Sequence, residues 1–187
     1  GASRGIGAAI AERLAEAGAK VAVSARTIAP VDKYEGSLQE TVERITAAGG
    51  AAVAVQADLA VQEDRARLIA ETEQQLGPVD ILVNNAAITF YMPFTEFIEK
   101  RWRLMFEVQV RAPYELAQMV VPGMRERGSG WILNISSRAG VHPQGPPFEP
   151  VYRDWGFSTY GMVKAALDRF STCLAAEVYD HGIAVNS

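Results

Sequence analysis

Gly1-Ala2-Ser3-Arg4-Gly5-Ile6-Gly7 runs directly into Ala8-Ala9-Ile10-Ala11-Glu12-Arg13-Leu14-Ala15-Glu16-Ala17. The second stretch is built from strong helix formers and stops at Gly18, a natural C-cap. A glycine-rich turn that opens a helix presents bare N–H groups and the positive end of the helix dipole, a seat for phosphate. Its small residues also let the backbone approach a ligand closely. The spacing is G-x-x-x-G-x-G, unlike the G-x-G-x-x-G of other dinucleotide sites, and no Lys-Ser/Thr follows as in a nucleotide P-loop. On its own the cluster reads equally well as a tight turn before a helix.

The pattern that follows decides between these readings. Lys20–Ala25 is a short apolar run of strand type, followed by Arg26 and Thr27. Residues 37–48 place Leu38, Val42 and Ile45 on one helical face, and Gly49-Gly50 ends that helix. Residues 51–57 are a second strand, leading to Asp58-Leu59. Residues 64–76 are a helix stopped by Gly77-Pro78. Residues 79–83 are a third strand, entering Asn84-Asn85-Ala86-Ala87. Strands alternating with helices over short links imply a parallel sheet with helices on both faces. Ligands then sit beyond the carboxyl ends of the strands, where Gly1–Gly7, Arg26, Asp58 and Asn84–Ala87 all fall. An acid at the end of the first of these strands would suit a ribose 2′-OH, whereas an Arg suits a 2′-phosphate. No acid occurs between that strand and Asp32, so Arg26, with Arg4, favours NADP(H) over NAD(H).

Residues 95–124 carry a long helical pattern, apolar on more than one side, with Pro113 inside it. Proline lacks an N–H, so the Gln109 carbonyl loses its helical partner. Residues 130–136 form another strand ending at Ser136-Ser137. Residues 138–156 hold four prolines with Phe148, Tyr152 and Trp155, a loop of the kind that is more often functional than idle. A helix over 157–179 follows, opened by Tyr160-Gly161-Met162-Val163-Lys164. Residues four apart share a helix face, so the Tyr160 phenol and the Lys164 ammonium can point the same way. A neighbouring cation favours the phenolate and lowers a tyrosine pKa, making the phenol an effective proton donor or acceptor.

Bulk properties exclude several function classes. The 187 residues carry a formal net charge of −4, with no basic patch for nucleic acid and no polybasic run for a membrane surface. No apolar run is long enough to span a bilayer. His142 and His181 lack metal-ligand spacing, so no metal site is expected. Cys173 is the only cysteine, which fits a reduced, cytoplasmic setting, and its place on an apolar helix suggests core packing. The chain begins inside the glycine motif and stops within a strand pattern at Ile183–Asn186, as expected of a fragment of a longer protein.

Gly1–Gly7, Asn84-Asn85-Ala86-Ala87, Ser137 and Tyr160 with Lys164, in this order, resemble the short-chain dehydrogenase/reductase family over essentially the whole chain. The resemblance implies a Rossmann-type α/β domain over 1–187 with a doubly wound parallel sheet, lacking the family's first strand and C-terminal region. It implies an NAD(P)-dependent oxidoreductase interconverting a carbonyl and a secondary alcohol. Gly1, Ser3, Arg4, Gly5, Ile6 and Gly7 would then lie at the pyrophosphate. Asp58 and the Leu59 backbone would meet the adenine, and Asn85, Ala86 and Ala87 the cofactor beyond it, with Ala87 where the family has glycine. Tyr160 would be the acid/base, Lys164 would tune it and bind the nicotinamide ribose, and Ser137, in preference to Ser136, would bond the substrate oxygen. Gln109 falls where the family has a catalytic asparagine, whose main-chain carbonyl holds a relay water. Tyr160 stands 23 positions after Ser137, a longer gap than the family's usual one, so residues 138–156 read as an insertion at the substrate pocket. Tyr91, Phe94, Phe148 and Trp155 are its candidate walls. The family commonly forms homodimers or homotetramers, here through the helices over 95–124 and 157–179. The alternative is a non-catalytic nucleotide-binding or scaffolding protein on the same fold.

Overall fold

The computed structural model describes residues 1–30, 36–154 and 156–187. Asp32 and Trp155, both of which figure in the sequence reading, lie outside the described residues. Helix α1 (Gly5–Glu16) leads to strand β1 (Lys20–Ala25), α2 (Leu38–Ala47), β2 (Ala51–Gln56), α3 (Gln62–Leu76) and β3 (Ile81–Asn84). Next come α4 (Glu99–Phe106), a π-helical turn (Glu107–Arg111), α5 (Ala112–Arg127) and β4 (Gly130–Asn134). The short α6 (Pro150–Asp154), the long α7 (Ser158–Val178) and β5 (Ile183–Asn186) complete the order.

Every strand pairing is parallel: β1 with β2 from Lys20 opposite Ala51, β3 with β4 from Ile81 opposite Trp131, and β4 with β5 from Gly130 opposite Ile183. Parallel neighbours need a helical crossover, and α2, α4–α5 and α7 supply one for each pair. The pairs fall into two groups, β1-β2 and β3-β4-β5, rather than one continuous ladder among the described residues. Between the facing edges of β1 and β3 runs a cavity of about 510 Å³, with Val21, Val23, Leu82 and Asn84 in its walls. Gly1 and Ala2 close one end of it.

The helices form where the sequence supplies caps and apolar stripes. Ser37 caps α2 by accepting the Glu40 N–H at 3.1 Å. Leu38 and Ile45 of α2 pack with Ala11, Ala15 and Val23 in one core cluster. A second cluster joins Leu68, Leu116, Val120, Met124, Ile132, Val178 and Ile183 across α3, α5, β4, α7 and β5. Each such buried aliphatic contributes roughly 1.5–3 kcal/mol. Arg65 is 1% exposed, paired to Glu115 at 2.7 Å, and so ties α3 to α5.

Two sequence expectations change. The helix over 95–124 is divided: a 3₁₀ turn (Phe94–Glu96), α4, the π-turn and α5 occupy that span, and Pro113 at the start of α5, which cannot continue an α-helical ladder, accounts for the break at the π-turn. Cys173 is exposed, not core. The inward face of α7 is set by Val163, Leu167, Ser171 and Val178, and Cys173 lies off it.

Candidate active site

The carboxyl ends of the strands bring the predicted residues together. The Gly1–Ala2 turn is held by three hydrogen bonds. Ala2 N–H donates to the Ser24 carbonyl of β1 at 3.0 Å. The Thr41 hydroxyl of α2 donates to the Ala2 carbonyl at 3.0 Å. The Asn85 side-chain amide donates to the Gly1 carbonyl at 2.8 Å. Gly7 is obligatory here, since a Cβ would strike the Gly1 carbonyl and come within 2.5 Å of Asn85 Nδ2. Asn85 thus braces the turn. At Gly5, which opens α1, a side chain would meet open space. Among the described residues no side chain caps α1, and its first turn carries no acid. The exposed Ile6 stands beside these amides. A pyrophosphate fits this helix N-terminus on charge and on space.

Arg26, at the end of β1, is exposed, and its carbonyl accepts from Gln56. Ser3 and Arg4 pack against Gly36. Asp58 forms a local turn, its carboxylate accepting Ala60 N–H at 3.0 Å while its own N–H donates to Asp64. The Leu59 carbonyl accepts from Arg65, and its side chain joins the core, so what Leu59 offers a ligand is narrower than the sequence suggests. Ala86 packs on Gly1, and Ala87 is exposed at the rim.

On the other side of β3, Ser137 follows β4 and Tyr160 opens α7. The Ser137 hydroxyl lies near enough to the Tyr160 phenol to favour its ionised form, and it accepts the Ala139 N–H at 3.2 Å. Ser136 Oγ, by contrast, is buried and without a partner among the described residues. The turn Arg138–Gly140 rests directly on α7, where a Cβ on Gly161 would lie 2.7 Å from the Ala139 carbonyl. That contact sets the spacing between Ser137 and Tyr160. Lys164, one helical turn on, is 2% exposed and donates to the Ile135 carbonyl at 2.8 Å, with Nζ 5.8 Å from the Tyr160 ring centroid.

The expected lowering of the Tyr160 pKa is not found in the chain alone. Burial raises it, the nearby Ser137 hydroxyl offsets part of this, and the neighbouring Tyr91 raises it further. Burial lowers the Lys164 pKa, opposed by Asp168 one turn along α7. Gln109 is 1% exposed in the π-turn, and its Nε2 donates to the Ile88 carbonyl at 2.7 Å. The bend of the α4–α5 helix is thereby tethered to the loop after β3.

Among the predicted pocket walls, Tyr91 meets Tyr160 edge-on, whereas Phe94 and Phe148 are exposed. Sequence reading missed an internal amide chain. Asn84 Nδ2 donates to Asn134 Oδ1 and Asn134 Nδ2 to Ser171 Oγ, both at 2.8 Å, fixing β3, β4 and α7 against one another. The available signal was a polar residue at the end of each otherwise apolar strand. No cluster of potential metal ligands occurs among the described residues, and none of their helices is long and apolar enough to cross a membrane.

The model of the short chain dehydrogenase family matches residues 1–187. The chain belongs to that family. Similar short-chain dehydrogenases include an uncharacterized oxidoreductase of Thermotoga maritima, 36% identical over 100% of this chain and 67% of the relative. The acetoacetyl-CoA reductase of Allochromatium vinosum is 34% identical over 98% of this chain and 68% of its own length. The chain spans 54% of a Pseudocercospora fijiensis short chain dehydrogenase. Among solved structures, a metagenomic short-chain oxidoreductase in complex with NADP superposes with a TM-score of 0.82 at 34% identity, covering 98% of this chain and 76% of that one. L-sorbose reductase of Gluconobacter frateurii, complexed with NADPH and L-sorbose, also gives 0.82, at 35% identity, covering 100% of this chain and 65% of that one. The likeness confirms the Rossmann-type α/β architecture for this short-chain dehydrogenase.

Proposed function

We propose that this chain is the cofactor-binding and catalytic part of an NADP(H)-dependent oxidoreductase that interconverts a carbonyl and a secondary alcohol. The observation that carries this reading is the placement of Ser137 beside the Tyr160 phenol, with Lys164 buried one turn along the same helix. When bound, the nicotinamide supplies or accepts the hydride at the carbonyl carbon. The chain's own residues manage the oxygen. Tyr160 gives it a proton, or takes one in the reverse direction, and Ser137 orients it by a hydrogen bond. The Tyr160 phenol, whose pKa burial raises above the ordinary value near 10, carries the proton that reduction requires.

Lys164, fixed by the Ile135 carbonyl, would hold the nicotinamide ribose. The Gln109 carbonyl, deprived of a helical partner by Pro113, would hold the relay water. Gly1, Ser3, Arg4, Gly5, Ile6 and Gly7 would seat the pyrophosphate, with Asn85, Ala86 and Ala87 along the cofactor and Asp58 and Leu59 at the adenine. The exposed Arg26 supports NADP(H), as do the NADP and NADPH complexes of similar proteins. A single exposed cysteine suits a reducing, cytoplasmic setting. A homodimer or homotetramer through α4, α5 and α7 completes the proposal.

The test is fluorescence titration of the full-length protein with NADPH and NADH, beside Arg26→Asp. NADPH should bind more tightly than NADH, and Arg26→Asp should reverse the order, weakening NADPH about tenfold or more. If neither nucleotide binds, the enzyme reading falls and a shell used for assembly remains.

A further inference from the structure

Two aromatic side chains outside the Ser–Tyr–Lys set, Tyr91 and Phe157, meet the Tyr160 ring, and a third, Tyr152, backs Phe157. Tyr91, in the loop after β3, lies with its ring centroid 6.2 Å from that of Tyr160 at an interplanar angle of 75°. It is 5.3 Å from Phe157 at 61°. Phe157, just before α7, is 6.4 Å from Tyr160, and Tyr152 of α6 is 6.3 Å from Phe157. Two of these segments are clasped together. Gly156 has φ +66°, and a Cβ there would land on the Met92 backbone, so only glycine permits the approach. Proximity of the Tyr91 phenol also raises the Tyr160 pKa. Yet Tyr91 is 53% exposed, so part of its ring beside the reacting phenol is not covered by protein.

Edge-to-face contact between rings adds stabilisation beyond the area it buries, which a saturated ring of equal size does not receive. We propose that Tyr91, Tyr152 and Phe157 make the site selective for carbonyls conjugated to a planar aromatic ring, with Tyr91 as the specificity-determining residue. The ring would lie against Tyr91 and Phe157 while its carbonyl oxygen meets Tyr160 and Ser137. This rests on the reading of Tyr160 as the proton donor to a carbonyl.

The test compares acetophenone with cyclohexyl methyl ketone, which share carbon count and outline and differ in the planar ring. Initial rates with NADPH or NADH and the full-length protein give the ratio of the two kcat/KM values. The wild-type ratio should favour acetophenone on the order of tenfold, the gain available from one or two ring contacts. Tyr91→Phe should keep the ratio, and Tyr91→Leu should bring it near unity. Nucleotide titration of each variant reports folding, and if Tyr91→Leu does not fold the wild-type ratio with Tyr91→Phe carries the test. Equal turnover of the two ketones, or a ratio that Tyr91→Leu leaves intact, overturns the aromatic proposal while the oxidoreductase reading stands. Nucleotide binding with no turnover of either ketone, when other ketones are reduced, also overturns it. No turnover of any carbonyl overturns both.

Discussion

Lys164 shows how a single side chain can report on the site before any substrate is known. Its ammonium is buried and its pKa lies below the ordinary lysine value of 10.5. Between that lowered pKa and 10.5 the unfolded chain binds more protons than the folded one, so stability rises with pH in this window. Tyr160 works the opposite way: above 10 its raised pKa keeps a proton that the unfolded chain has lost, and stability falls. Lys164→Met should therefore abolish the rise on the approach to 10.5, and Tyr160→Phe the fall above 10. Urea midpoints over a pH series check both, and an unchanged slope in Lys164→Met would mean that the lysine is not buried as a cation. That Tyr160 and Lys164 share a helix was legible in the helical spacing, and that Ser137 follows a strand was legible in the strand pattern. Their backbone partner, the Ile135 carbonyl, was not, since a carbonyl carries no residue code. The rise in the Tyr160 pKa was not legible either, because its largest cause, burial, is invisible in sequence.

At the level of elements, the decisive feature is the π-turn between α4 and α5. Ala112 N–H reaches back five residues to the Glu107 carbonyl, as a π-helical turn requires. Pro113 made a break legible, but its form was not, because it depends on where Gln109 finds a partner. The longer side chain of Gln109 does not loosen the bend, since its amide reaches the Ile88 carbonyl and ties the helix to the loop after β3. Gln109→Leu leaves that carbonyl without its donor, a loss of about 1–3 kcal/mol, read as a lowered urea midpoint. Gln109→Asn should leave turnover within a fewfold of wild type, because the main-chain carbonyl offered at the bend is the same. A large gain from Gln109→Asn would show instead that glutamine impairs the relay. The alternation of strands and helices was readable throughout, with element ends shifted by a few residues where caps decide them, as at Ser37.

Across the whole molecule, the outer surface of the α4, α5 and α7 layer remains apolar without being covered. Trp102 is 41% exposed and stacks on Phe106 with centroids 4.5 Å apart. Tyr114 of α5, 52% exposed, lies 5.5 Å from Phe170 of α7, and Met162 is 46% exposed. The sequence showed the pattern over 95–124 to be apolar on more than one face, but it could not say which residues the sheet leaves over; Cys173 of α7, assigned to the core from sequence, is also left exposed. Large apolar side chains gathered on one layer are typical of a surface that another subunit covers, and a stable interface needs roughly 1,600 Å² in total, an area that two long helices can supply. The full-length protein should therefore run as a homodimer or homotetramer at micromolar concentration in light scattering coupled to size exclusion. Tyr114→Glu combined with Trp102→Glu places charge on this exposed layer and should shift the mass towards the monomer, while nucleotide binding at the far carboxyl ends of the strands persists. A wild-type monomer at that concentration would remove the subunit contact from the proposal and leave the site's chemistry untouched, because every residue assigned to it comes from one chain.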